Sequence, residues 1–128
     1  MSDKATSGKK RILIVEDERP LAHALELKLG HEGYETVVAL SGAEGLQKAR
    51  DENFDCILLD LIMPEVDGFS FLQDYRKKSA NTPVIILSNL GQEEDKAKAK
   101  TLGATDYFVK ANTPILQIVN RVKSALGA

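Results

Sequence analysis

Four short apolar runs punctuate the chain, at Arg11–Val15, Asp55–Leu59, Pro83–Leu87 and Asp106–Val109. Each has the length and continuity of a strand buried on both faces. A fifth run, Glu35–Ala39, is rich in valine but carries fewer apolar residues. Between the runs the period lengthens to that of a helix. Leu21, Leu25 and Leu29 recur every four residues behind Pro20, which suits a first helical turn, and Gly30 and Gly33 are expected to stop that helix. Ser41 and Glu44 match a capping box ahead of Leu46 and Ala49. Asp67 can cap a helix bearing Phe69, Leu72 and Tyr75. Thr113-Pro114 opens a last helix, on which Ile115, Ile118, Val119, Val122 and Leu126 form one stripe.

The segment from Gln92 to Leu102 is different. Glu93, Glu94 and Asp95 fall in its first turn and Lys96, Lys98 and Lys100 in its later ones, a polarity that suits the helix dipole. Its apolar face is little more than Ala97, Ala99 and Leu102, which predicts a solvated helix that is weakly anchored and free to shift. Buried strands alternating with amphipathic helices, five times over, imply an α/β fold with helices on both faces of a parallel sheet. With right-handed crossovers, a doubly wound five-stranded sheet with five helices is the simplest topology.

A chain of 128 residues is enough for one domain with a genuine core. We expect a mobile N-terminal tail over residues 1–10, where the composition is polar and lysine-bearing, and a single domain over 11–128. Seventeen basic residues against nineteen acidic ones leave a net charge of −2, too balanced for a broad nucleic-acid footprint. No apolar run approaches the roughly 18 residues of a membrane span, and no secretory signal opens the chain. The one cysteine, Cys56, lies within an apolar run and reads as a buried thiol. These features together predict a cytoplasmic protein.

Charge becomes informative where the strands end. Glu16, Asp17 and Glu18 follow the first run, Asp60 the third, Ser88 the fourth and Lys110 the fifth. Open parallel sheets bind ligands beyond the carboxyl ends of their strands, so four strands bring acid, acid, hydroxyl and amine to one edge. If the first and third strands are neighbours, Glu16, Asp17 and Asp60 crowd together. Each like-charged pair about 4 Å apart then costs on the order of 4 kcal/mol at an effective dielectric of 20. A proton or a cation must relieve that repulsion. Oxygen ligands without histidine or cysteine favour Mg²⁺ over zinc, and Ser88 and Lys110 suit a phosphoryl group beside it.

Four stretches carry a family resemblance: Ile14-Val15-Glu16-Asp17-Glu18, Leu59-Asp60-Leu61-Ile62-Met63-Pro64-Glu65-Val66-Asp67-Gly68, Ile86-Leu87-Ser88 and Gly103-Ala104-Thr105-Asp106-Tyr107-Phe108-Val109-Lys110. In residues and spacing the chain resembles a response-regulator receiver domain of two-component signalling, of the chemotaxis-regulator type, from about Lys10 to Leu126. That resemblance implies a flavodoxin-like fold with strand order 2-1-3-4-5. It implies that Asp60 accepts a phosphoryl group from a sensor histidine kinase or phosphotransfer protein. By the same resemblance, Mg²⁺ is held by Asp17 directly, by Glu16 through water, by Asp60 and by the backbone carbonyl of Ile62. Lys110 would pair with the phosphoryl oxygens and Ser88 would hydrogen-bond one of them. Tyr107 would switch rotamer with Ser88 and pass the change to an unidentified downstream protein. Such a domain is a signalling phosphoacceptor, catalysing only its own phosphotransfer and dephosphorylation, with no direct contact to nucleic acid or membrane.

The chain departs from the family pattern after Lys110, where Ala111 replaces the usual proline and leaves the loop geometry open. Asn89 stands where a small residue is common and is expected to narrow access, with apolar Ile62 and Leu90 flanking the site. Two other functions compete. A haloacid-dehalogenase-type aspartyl-phosphate phosphatase also needs Asp, Mg²⁺, hydroxyl and lysine, but carries a second Asp two residues after its nucleophile, where this chain has Ile62. A phosphorylation-independent interaction module would not need Asp17, Asp60 and Lys110 intact. A flavin-binding domain is disfavoured, because Glu16-Asp17-Glu18 repels an anion where that fold must cradle phosphate.

Overall fold

The computed structural model of the protein describes residues 8–127. Most of the expected tail therefore lies outside the described residues. Lys10 is already tied in, its carbonyl accepting the Glu35 N–H at 2.9 Å. The elements run β1 (Arg11–Val15), α1 (Arg19–His31), β2 (Glu35–Ala39), α2 (Gly42–Asp51), β3 (Cys56–Asp60), α3 (Gly68–Lys78), β4 (Val84–Ser88), α4 (Glu93–Thr101), β5 (Asp106–Val109) and α5 (Ile115–Ala125). A 3-10 turn, Lys110–Asn112, joins β5 to α5. The strands form one parallel sheet in the order β2-β1-β3-β4-β5.

Period-two alternation divides the strand residues between two apolar layers. Leu13, Val15, Ile57, Leu59 and Ile86 face one way and pack with Phe71, Leu72 and Tyr75 of α3 and with Ala99 of α4. Ile12, Ile14, Leu58, Ile85 and Leu87 face the other, against Leu25 and Leu29 of α1 and Ile118, Val119 and Val122 of α5. Cys56 belongs to the second layer, where burial pushes its thiol up to about 12. It is thus an inert core group.

Several boundaries differ from the sequence reading, each for a local reason. β3 and β4 begin one residue late and continue through Asp60 and Ser88, because the backbone ladder persists beyond the last apolar side chain. β5 sits at a sheet edge, so all four of its residues are half-buried rather than enclosed. α1 runs through Gly30 to His31, and the turn is made at Gly33, where φ is +95°. Thr113 does not cap α5. Pro114 holds that position, while the Thr113 hydroxyl donates to the Val109 carbonyl at 2.8 Å.

The other caps follow the sequence. Ser41 Oγ accepts from Glu44 N at 3.1 Å, and Glu44 Oε1 reaches back to Leu40 N at 3.1 Å. Asp67 Oδ1 accepts from Ser70 N at 2.9 Å. α4 buries only Ala99, as its thin apolar face predicted, although Lys98 also lies 4.3 Å above the Phe69 ring. At Gly42 the α2 backbone meets the loop after β3 so closely that an added Cβ would lie 2.0 Å from the Val66 carbonyl oxygen.

Candidate functional site

The parallel sheet sends the carboxyl ends of β1, β3, β4 and β5 to one edge, and adjacency of β1 to β3 decides what meets there. One oxygen each from Glu16, Asp17 and Asp60 lie within 4.8 Å of one another. Lys110, first residue of the 3-10 turn, faces them. Its Nζ is 2.8 Å from Glu16 Oε1, 2.8 Å from Glu18 Oε1 and 3.1 Å from Asp60 Oδ2. The Lys110–Ala111 peptide is trans, since the described residues contain no cis bond. An open cavity of about 210 Å³ over this cluster is lined by Asp17, Glu18, Asp60, Ile62, Asn89 and Lys110. Asn89 and Ile62 thus stand at the mouth. Leu90 does not; it packs on the core beside Tyr107.

Backbone donors fix the two buried acids. Glu16 Oε2 accepts the Glu18 N–H at 2.9 Å, and Asp60 Oδ1 accepts the Ile62 N–H at 3.2 Å. Gly68 supports Asp60 from below, donating to the Leu61 carbonyl at 2.9 Å. Lys110 Nζ straddles the Glu16 carboxylate, 2.8 Å from Oε1 and 3.0 Å from Oε2. Three carboxylates that converge within 4.8 Å, an all-oxygen donor set, fit a hard divalent cation.

Electrostatics tell the same story. Burial pushes the Glu16 carboxyl up to about 7; Lys110 and the Glu18 N–H oppose the rise, and Asp60 adds to it. Burial also raises Asp60, against the pull of the Ile62 N–H and Lys110. Burial works against the Lys110 charge, but the carboxylates overcome it and hold its pKa above the ordinary value. A pH dependence follows. A carboxyl that holds its proton more tightly when folded stabilises the fold below its ordinary value of 4.5, and that contribution is lost as pH rises through about 7. In metal-free protein, Glu16 should therefore lower the melting temperature as pH rises from about 5 to about 8. Glu16→Gln, which cannot ionise, should flatten that slope in thermal melts; an equally steep slope in the variant would contradict the assignment.

Ser88 and Tyr107 stand behind the cavity. Ser88 is fully buried next to Leu87, the register partner of Asp60, and its Oγ accepts the Leu90 N–H at 3.2 Å. The Tyr107 hydroxyl donates to the Leu90 carbonyl. Burial raises the phenol pKa, Asp95 adds to the rise, and the Ser88 hydroxyl pulls it down. Leu90 therefore links both side chains through its backbone, a role invisible in its identity. A larger cavity, about 380 Å³, lies between α4 and β5, with Lys96, Lys100, Asp106 and Tyr107 among its lining residues. It shares no lining residue with the cavity over the acidic cluster.

Strand order 2-1-3-4-5, with an acidic triad and a lysine at the carboxyl edge, defines the class: a flavodoxin-like domain built around a cation-ready acidic cavity. Within that class, residues 12–123 match the response regulator receiver domain family, and the chain belongs to it. It is 38% identical over 116 residues to the response regulator ArlR of Staphylococcus saprophyticus, covering 91% of this chain and 52% of that protein. It is 37% identical over 118 residues to YkoG of Bacillus subtilis, described as an uncharacterized transcriptional regulatory protein, covering 92% and 51%. The chain spans about half the length of the curated relatives it matches.

Solved structures agree. The receiver domain of the Francisella response regulator 1452 superposes with a TM-score of 0.86 at 34% identity, covering 93% of this chain and 98% of that one. The response regulator TrrA of Thermotoga maritima, solved in complex with Mg²⁺–BeF, gives 0.81 at 32% identity, covering 91% and 99%. The chain is thus a receiver domain of two-component signal transduction. Among the described residues no helix is long and apolar enough to cross a membrane.

Proposed function

We propose that Asp60 is the phosphoacceptor of this domain, and that Glu16, Asp17, Asp60 and the Ile62 carbonyl hold the Mg²⁺ that accompanies it. One observation carries the reading: the only strand-end carboxylate on β3 is buried, opens onto a cavity, and lies 3.1 Å from a lysine. Bound in that cradle, Mg²⁺ would offset the charge of the carboxylates and of the phosphoryl oxygens.

The chain's own groups do the rest. An Asp60 carboxylate oxygen attacks the phosphorus of a phosphohistidine in line, and the electron pair of the breaking P–N bond leaves with the imidazole. Lys110 turns one of its N–H donors to a phosphoryl oxygen. Ser88 gives up its Leu90 contact and donates its hydroxyl proton to another. Because Tyr107 is bonded to the same Leu90 backbone, the movement reaches the surface formed by α4, Tyr107 and α5. Water later hydrolyses the acyl phosphate and restores the carboxylate. The donor is a sensor histidine kinase or a phosphotransfer protein in the cytoplasm, and the target is a downstream protein. Neither nucleic acid nor membrane is contacted by this domain.

Incubation with acetyl phosphate and Mg²⁺, followed by intact-mass measurement, tests the reading. Wild type should gain one phosphoryl group, and Asp60→Asn none. Fluoroberyllate with Mg²⁺ should shift amide signals of α4 and Tyr107 as well as the loop after Asp60. A wild type that takes up no phosphoryl group, or an Asp60→Asn variant that does, refutes the assignment.

A further inference from the structure

Lys110 is already fully engaged. An ammonium has three N–H donors, and Glu16, Glu18 and Asp60 take all three. The three acceptors are not equivalent. The side chains of Glu16 and Asp60 are 1% and 5% exposed, and each is fixed by a backbone N–H. The Glu18 side chain is 55% exposed. It occupies the N-cap position of α1 yet makes no cap bond there, reaching across the cavity mouth to Lys110 instead. It also stands outside the triad whose oxygens converge within 4.8 Å.

Building on Asp60 as phosphoacceptor, we infer that Glu18 is a gate on phosphoryl uptake: it holds the third proton of Lys110 and places a negative charge at the cavity mouth. For a phosphoryl oxygen to take a Lys110 donor, one carboxylate must let go. Glu18 is the one that can swing into water, since its pair with Lys110 is the solvent-facing member of the set. Glu18 is therefore a positioning residue, acting on the reaction through Lys110. Small dianionic donors meet its charge before they meet the lysine, and the gate slows them most.

The reaction that reads this out is simple. With acetyl phosphate, an Asp60 oxygen forms the new bond to phosphorus, the bond from phosphorus to the acyl oxygen breaks, and acetate leaves with the electron pair. Glu18→Gln keeps the shape and removes the charge. Its initial rate of adduct formation should exceed that of wild type by about 3- to 10-fold at about 0.02 M salt. The gain should fall to about twofold or less at about 0.2 M, where exposed charges are screened.

A second readout needs neither metal nor donor. In protein labelled with ¹⁵N-lysine, the Lys110 ammonium protons should exchange with water several-fold faster in Glu18→Gln, because one donor is freed. Unchanged exchange, a variant no faster than wild type at low salt, or a gain insensitive to salt would each overturn the gate. If wild type forms the adduct and Glu18→Gln is no faster, the gate alone falls. If wild type forms none, Asp60 as phosphoacceptor falls and the gate with it.

Discussion

Lys110→Ala should slow phosphoryl uptake about 100-fold and destabilise the metal-free protein by about 2–4 kcal/mol near pH 8. The kinetic loss follows from removing the one cation that, among the described residues, pairs with Asp60, 3.1 Å away. The stability loss follows from leaving Glu16 and Asp60 buried without a counter-charge. Its sign with pH is specific. Glu16 already ionises only at about 7, and without Lys110 it holds its proton more tightly still. At pH 5 the Glu16 carboxyl is neutral and the variant loses less; above pH 8 the fold must carry its bare charge as well as that of Asp60. Urea melts of both proteins at the two pH values measure the difference. A loss of equal size at both would mean that Lys110 stabilises by packing its methylenes and not by charge.

Gly68→Ala should be nearly as damaging, by a steric route. A Cβ there would lie 2.5 Å from the Asp60 carbonyl oxygen and 2.6 Å from Leu61 Cα, both backbone atoms with no rotamer to yield. Alanine's better helix propensity recovers about 1 kcal/mol, but overpacking against backbone should cost about 3 kcal/mol or more. The net loss is about 2 kcal/mol or more. Because the displaced backbone carries Asp60, uptake should fall further than stability does, by up to about 100-fold. Gly30→Ala is the control. Its added Cβ meets open space inside α1, so it should stabilise by about 0.5–1 kcal/mol. Equal effects at the two glycines in denaturant melts would show that close approach at Gly68 is not what matters.

The site was legible in the sequence to the extent that it depends on where strands end. Apolar runs identify strands, parallel strands share an edge, and the first polar residue after each run falls there; that places Glu16, Asp17, Asp60, Ser88 and Lys110 without coordinates. What stayed hidden depends on backbone groups and on reach. Leu90 joins Ser88 to Tyr107 through its N–H and carbonyl, which any residue would supply. Glu18 looks like one more acid in a helical first turn, and only the arrangement in space shows it at Lys110. Arg76 donates to the carbonyls of Gly103, Ser79 and Thr82, and Lys78 to those of Ala49, Arg50 and Glu52. Their sequence context offers only basic residues at the end of a helix. The thin apolar face of α4 was the opposite case, because one buried alanine in nine residues is a matter of composition alone.

The contact at Gly42 gives the domain a direction. The loop that follows Asp60 is backed by α2 at a separation that admits no side chain, with Val66 pressed onto the helix's first residue. On its other flank lie the cavity and Asn89. If Asp60 takes up a phosphoryl group, as proposed, the loop has no room to recoil towards α2 at Gly42. The free side is the one towards the cavity and Asn89. A single glycine thus sets a backstop on one side of the loop and leaves the other side open.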